Sequence, residues 1–395
     1  MKYFFILGNN NALSIAELAS VISLKNPQLL AVDFLLSEIE GEINPEKLIK
    51  QLGGTIKIGV LRTVLEKNHS QAELTESLIK IASDKQKNSE TGKFNFGFSV
   101  YGDGAFNKKD VGIKVKNHFN TQGISSRFVI SKEKTLSSVV ITQNKILKRG
   151  IELVGIKKDS QVFLGETLAI QDFKDLSRRD FGRPARDDLS GMLPPKLAMI
   201  MINLAGLNDS NNTILDPFCG SGTIINEASL MGYKNIIASD ISKKAVDNTY
   251  TNFSWLKDLY KLENIKLKLA VKSALTLSKF IKADSVDAII TEPFLGPQRG
   301  MLNFKQIISE LETLYSGAIA EFKMVIKKGA KVIMIWPSFY GQRAISPNYD
   351  GFILKNLIPQ NLDNNPLLKK SNRGTLIYSR PGQKVFREII ILEKE

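Results

Sequence analysis

Thr213-Ile214-Leu215-Asp216-Pro217-Phe218-Cys219-Gly220-Ser221-Gly222-Thr223-Ile224-Ile225-Asn226-Glu227-Ala228 is the stretch whose reading decides the fold. Ile214 and Leu215 end a strand, residues 216–222 turn, and Thr223 opens a helix on which Ile224, Ile225, Ala228 and Leu230 pack toward a sheet. Gly220 and Gly222 allow positive φ and let a ligand come close to the backbone, because no Cβ obstructs it. A ligand carrying both an amino-acid group and a nucleoside suits such a turn. Asp216 can accept from its cationic amine, while N–H groups at the helix start receive its carboxylate.

Working outward, Asp240 stands at the end of an apolar strand over residues 235–239, where a carboxylate can accept both hydroxyls of a ribose. The spacing from the glycines is also that of a dinucleotide fold, so a nicotinamide site competes. Against it, the turn lacks the third glycine of G-x-G-x-x-G, and it lacks the lysine of a triphosphate loop. A glycine turn that binds nothing is the bland alternative. Further on, Ser285-Val286-Asp287-Ala288-Ile289-Ile290-Thr291-Glu292-Pro293-Phe294-Leu295-Gly296-Pro297 ends a third strand at the same carboxyl edge of the expected sheet. Glu292 and the carbonyls beside it can accept from the exocyclic amine of a flat base, and Phe294 can stack on that base.

The chain has 395 residues, 43% apolar and 24% charged, which suits two or three folded domains. Its 54 basic residues exceed its 40 acidic ones, a net charge of +14 that favours a polyanionic partner through counterion release. A single cysteine, Cys219, excludes an intrachain disulfide framework, and two isolated histidines, His69 and His118, leave little from which to build a metal site. No apolar run approaches the roughly 20 residues of a bilayer span, so a cytoplasmic protein without membrane contact is expected.

The first half reads as a small α+β region. Strands are expected over residues 2–7, 29–38, 57–64, 93–101, 151–156 and 161–169, with helices over 15–21, 70–82, 110–121 and 138–147. Ser14 is placed at the cap of the first helix, with Glu17 completing a capping box. Lys145, Lys148 and Arg149 form a basic group beside a helix, suited to phosphates. Residues 172–189 are polar, carry Arg178, Arg179, Arg183 and Arg186, and contain Pro184, which no helix can run through.

Asp-Pro-Phe-Cys-Gly-Ser-Gly-Thr, at residues 216–223, resembles the cofactor loop of the THUMP-associated RNA methyltransferases, with a UPF0020-type methylase domain. It is similar in particular to the archaeal and eukaryotic enzymes that make N2-methylguanosine at position 10 of tRNA. Gly182-Arg183-Pro184, Gly191-Met192-Leu193-Pro194-Pro195-Lys196-Leu197-Ala198 and Ser379-Arg380-Pro381-Gly382-Gln383 resemble further stretches of that group. The resemblance implies an α/β, Rossmann-like methyltransferase domain over residues 193–395. Ahead of it would lie a ferredoxin-like region over 1–60, a THUMP-like RNA-binding domain over 61–170 and a linker over 171–192.

The implied cofactor is S-adenosyl-L-methionine. Asp216, Gly220 and Gly222 would hold its methionine part and Asp240 its ribose, with Phe218, Thr223 and Ser273 also in contact. Glu292, Pro293, Phe294 and Leu295 take the place of the family's catalytic Asp-Pro-Pro-Tyr, with Glu for Asp and the aromatic one position early. Ser273 stands where many relatives have an acid near the adenine. Arg183, Arg186, Arg299, Lys145, Lys148 and Arg149 are the candidate tRNA contacts, and the resemblance leaves room for a small activating subunit. Two alternatives remain at this stage: methylation of an adenine or cytosine amine in DNA, and an RNA-binding protein with a degenerate methyltransferase domain.

Overall fold

The computed structural model describes residues 1–66, 69–89, 92–103, 106–186, 192–297, 303–341 and 343–395. The first half contributes strands β1 (Lys2–Leu7), β2 (Leu24–Ala31), β3 (Phe34–Ile39), β4 (Thr55–Leu65), β5 (Phe94–Tyr101), β6 (Ser126–Val129), β7 (Gly150–Lys158) and β8 (Gln161–Ile170). Among the described residues they form one sheet in the order β2-β3-β1-β4-β8-β7-β5-β6. Both faces of β1 are covered: Tyr3, Phe5 and Leu7 join one core, while Phe4 and Ile6 join another with Phe34 and Tyr101. A strand buried on two faces reads as an unbroken apolar run rather than an alternating one.

The expected division between residues 60 and 61 falls inside β4, which pairs with β1 on one side and β8 on the other. The expected strand over residues 29–38 is instead a hairpin of β2 and β3. Helices α1 (Asn11–Val21), α2 (Pro45–Gln51), α3 (Gln71–Lys87), α4 (Lys108–Thr121), α5 (Ser138–Gln143) and α6 (Ile146–Arg149) complete this half. The capping box lies at α3, where Ser70 accepts from the Glu73 N–H and Glu73 from the Ser70 N–H.

At α1 the expected box is absent, because the helix starts at Asn11, ahead of Ser14. Ser14 instead donates to the Gly54 carbonyl at 2.8 Å. Glu17 accepts from the Gly53 and Gly54 N–H groups at 2.7 and 2.8 Å and from Asn203 Nδ2 at 2.7 Å. Asn203 belongs to α8 (Pro195–Leu204) of the second half, so this buried carboxyl joins the two halves.

Desolvation pushes Glu17 up to about 7, against the opposing bonds from Gly53, Asn203 and Gly54. A carboxyl raised in the folded state contributes its stability in full below its unfolded pKa and loses it as pH rises through the folded one. Stability is therefore expected to fall between about pH 4.5 and about pH 7. Glu17→Gln should flatten part of that slope, read from urea midpoints at several pH values; an unchanged slope would remove Glu17 as a source.

After α7 (Phe173–Phe181) and α8, the second half follows as β9 (Thr213–Asp216), α9 (Thr223–Leu230), β10 (Asn235–Asp240), α10 (Lys243–Tyr260), β11 (Lys266–Val271), β12 (Val286–Thr291) and α11 (Phe304–Val325). It ends with β13 (Ile326–Phe339), β14 (Arg343–Ala344), β15 (Phe352–Leu354), β16 (Leu376–Tyr378) and β17 (Val385–Lys394). The main path of the sheet is β11-β10-β9-β12-β13-β17-β15, parallel from β11 to β13 with β17 running antiparallel to β13. Strand order reverses at β9, which has β10 on one side and β12 on the other, so a crevice opens beyond their carboxyl ends. No helix among the described residues is long and apolar enough to cross a membrane.

Candidate active site

Beyond the carboxyl ends of β9, β10 and β12 lies a cavity of about 780 Å³, lined by Asp216, Asp240 and Glu292 together with the glycine turn. Such a volume suits a small-molecule ligand. The three carboxylates, separated by 76 residues from first to last, open onto one space because adjacent parallel strands end side by side.

The turn is built from behind. Gly222 has φ +84°, and a Cβ there would lie 3.0 Å from Thr249 Cγ2, so the residue meets both a backbone and a packing demand for glycine. Gly220 has φ +53°, and its Cβ would meet no protein atom within 4 Å, which leaves its open side to the cavity. Two side chains of α10 grip the turn's carbonyls: Thr249 Oγ1 donates to Gly220 O at 2.9 Å and Asn252 Nδ2 to Ser221 O at 2.8 Å. Within the turn, the N–H groups of Phe218, Cys219, Gly220 and Gly222 are taken by Asp216, the Ser239 carbonyl, Asp240 and the Cys219 carbonyl, so the place for an anion is the start of α9 that follows.

Asp216 is 2% exposed and accepts, on Oδ1, from Thr291 Oγ1 at 2.7 Å and from the Phe218 N–H at 3.2 Å. Oδ2 has no donor among the described residues. Desolvation drives this carboxyl up to about 7, with Thr291 and Phe218 opposing and Asp240 and Glu292 adding to the rise. A carboxylate oxygen that opens to the cavity without a donor, beside two further carboxylates, is an electrostatic seat for a cation. Asp240 accepts from the Gly220 N–H at 3.1 Å and the Ser242 N–H at 2.9 Å, which ties the second acid to the turn.

Glu292 stands on the cavity wall with Oε1 held at 2.6 Å by Arg387 Nε of β17. The acid therefore does not enter the cavity as a free carboxylate; half of it is committed to a cation, and Oε2 is left without a donor among the described residues. Phe294 is 61% exposed at the mouth, and its carbonyl accepts from the buried Tyr315 hydroxyl at 3.1 Å, which anchors the loop. The aromatic is thus available although it stands one position early. Pro293, Leu295, Phe218, Thr223 and Ser273 also line the cavity, while Gly222 supports it from outside.

The expected tRNA contacts fare differently. Arg183 is 4% exposed and donates to Thr223 Oγ1 at 2.7 Å, so it braces the start of α9 and does not reach a phosphate. Its neighbour Arg179 is likewise structural, bidentate on the buried Glu227 of α9. Arg186 is exposed, its guanidinium 5.6 Å over the Phe181 ring. Lys145, Lys148 and Arg149 are exposed around α6 in the other half of the chain and take no part in the cavity. Arg299 lies outside the described residues. Trp336 is a buried β13 residue that does not line the cleft.

Sequence reading overlooked Thr291, Thr249, Asn252 and Arg387, and also Ile241, which is 77% exposed and lines the cavity with Leu275 as an apolar wall. Ile241 had a signal, an apolar residue directly after a strand-end acid. Arg387 had none, being 95 residues from Glu292 on an antiparallel strand.

Residues 183–340 match the family model described as "RMKL-like, methyltransferase domain". This part of the chain is similar to an RMKL-like methyltransferase domain. Its mostly parallel sheet is Rossmann-like, and the fold is similar to that in the crystal structure of TrmN from Thermus thermophilus, which covers 100% of both chains with a TM-score of 0.55 and 19% identity. Among curated relatives, a tRNA (guanine(10)-N2)-dimethyltransferase of Methanocaldococcus jannaschii is 31% identical over 42% of this chain and 45% of its own length. One of the same name from Methanothermobacter thermautotrophicus is 30% identical, over 38% and 40%. One from Pyrococcus abyssi is 26% identical over 75% and 78%. The chain thus spans less than half the length of the first two of these relatives.

Proposed function

We propose that this chain transfers a methyl group from S-adenosyl-L-methionine to the exocyclic N2 of a guanosine in tRNA, at position 10. The observation that carries this reading is the single cavity in which Asp216, Asp240 and the Gly220 turn stand beside Glu292 and an exposed Phe294. The names of the curated relatives support the base and the RNA.

The residues fit the cofactor. Asp216 Oδ2 would take the cationic amine, the start of α9 the carboxylate, Asp240 the ribose hydroxyls, and Ile241 with Leu275 the flat adenine. When bound, S-adenosyl-L-methionine supplies an electrophilic methyl group on a sulfonium. The protein's task is to present a nitrogen that conjugation makes a poor nucleophile. Phe294 stacks on the flat base, and Glu292 Oε2, steadied through Oε1 by Arg387, accepts from the amine and offsets its developing positive charge. A base reaching this mouth has to leave its stack or come from an unpaired region. The basic first half, as a ferredoxin-like and THUMP-like unit with Lys145, Lys148 and Arg149 exposed, would grip the tRNA backbone.

Mass analysis of nucleosides from unmodified tRNA, incubated with the protein and cofactor, tests the reading. N2-methylated guanosine is the expected product. Transfer to duplex DNA alone would replace RNA by DNA as substrate, and tRNA binding without cofactor binding would leave only a degenerate domain.

A further inference from the structure

At the carboxyl end of β13 the chain turns through Tyr340 and Gly341, and β14 pairs back with Arg343 opposite Phe339. Tyr340 and Gly341 have positive φ, 52° and 69°. Gly, Asn and Asp occupy such positions at little cost, whereas the Cβ of a tyrosine crowds the adjacent carbonyl. Burial does not account for the choice either, since Tyr340 is 51% exposed. An aromatic ring kept in water on a strained backbone is an outlier of the kind that clusters at functional sites.

Its surroundings point the same way. The Tyr340 ring meets Phe304 edge-on at 6.0 Å, and the Arg343 guanidinium lies 4.9 Å over Phe304. Phe304 packs on Phe339 at 5.5 Å, and a Cβ on Gly296, a residue of the cavity wall, would be 3.4 Å from Phe339 Cζ. The cluster is thus one ring away from the wall that carries Glu292 and Phe294. The Lys384 carbonyl accepts from the Tyr340 N–H at 2.7 Å, which brings a second exposed cation to the turn. Among the described residues no carboxylate pairs with Arg343 or Lys384.

We propose that Tyr340, Arg343 and Lys384 form a nucleotide subsite beside the mouth of the active site. Tyr340 stacks on an unpaired base next to the target nucleotide, and the two cations take the phosphates that flank it. Stacking on an aromatic face is tolerant of base identity, and phosphate contacts make binding salt-dependent. The inference rests on the RNA reading above and names where that RNA continues beyond the target base.

The test uses the full chain with a fluorescein-labelled, unmodified tRNA transcript, measuring anisotropy over a range of salt and methyl transfer in parallel. Tyr340→Gly relieves the positive-φ strain, so a retained melting temperature confirms folding while the ring is gone. Its dissociation constant for tRNA is expected to rise by about tenfold or more, with affinity for S-adenosyl-L-methionine unchanged. Tyr340→Phe, which keeps the ring face, should bind as wild type. Arg343→Gln should lower the slope of log affinity against log salt by about one. Wild-type tRNA binding by Tyr340→Gly, in a protein that methylates tRNA, overturns the subsite and leaves the proposed function standing. A wild-type protein that neither binds nor methylates tRNA ends both.

Discussion

Asp216→Asn is expected to weaken S-adenosyl-L-methionine binding by on the order of 10²-fold, as read by calorimetry. The substitution removes the charge from Oδ2 of Asp216, which lines the cavity, and a hydrogen bond to a charged partner contributes about 1.5–3 kcal/mol. The wild-type protein should also show a characteristic pH dependence. Desolvation raises this carboxyl to about 7, more than Thr291 and Phe218 lower it, and a cationic amine needs the ionised form. Affinity should therefore climb about tenfold per unit below about pH 7 and stop rising once the carboxyl is ionised, until the amine itself loses its proton.

The sign for stability is opposite. Because Asp216 holds a proton more tightly in the native state, its contribution to the cofactor-free fold is lost as pH rises through about 7. Saturating cofactor should counter that loss by stabilising the carboxylate, while the share due to Glu17 stays. A pH-independent affinity in the wild type, or full affinity in the variant, would take the amine seat away from Asp216.

The second large effect concerns the pair Glu292 and Arg387. Glu292→Gln is expected to lower kcat for methyl transfer by on the order of 10²-fold, the scale on which preorganised electrostatic groups act. Cofactor affinity at pH 8 should change little. Arg387→Met should cost a comparable factor, since the ion pair at 2.6 Å is what aims the carboxylate. If the two act as a unit, the double variant will be no slower than the slower single one. Glu292 also contributes to the rise of Asp216, so Glu292→Gln should move the midpoint of cofactor binding to lower pH. Full activity of Glu292→Gln would show that backbone carbonyls alone capture the amine.

Much of this site is written in short stretches of chain. Asp216, the glycine turn and the start of α9 follow one another within eight residues, so local stereochemistry makes them legible: a strand ends, two glycines take positive φ, and a helix begins. Asp240 and Glu292 are legible for a related reason, since each ends an apolar strand and parallel strands of one sheet bring their carboxyl ends to a common edge. The helices over Gln71–Lys87 and Lys108–Thr121 likewise follow from apolar periodicity.

Other features misread or escaped the same logic. Ser14 and Glu17 have the spacing of a capping box, yet the helix begins earlier and both side chains turn to Gly53 and Gly54. Arg183, ahead of the turn, reads as a tRNA contact, but it and its neighbour Arg179 pack against Thr223 and Glu227, where they hold α7 and its continuation against α9. Charge on a sequence does not say whether the group faces water or a partner within the fold.

The order of residues alone thus determined the glycine turn, the acids at the strand ends and the Rossmann-like character of the second half, because each rests on interactions within a few residues or on the repeating direction of parallel strands. Tertiary structure alone decided that β4 joins the first half into one sheet, that Glu17 bridges to Asn203, and that Arg387 holds Glu292 from an antiparallel strand 95 residues away. Contacts of that kind depend on which strands become neighbours, and a linear pattern carries no record of the partner across the sheet.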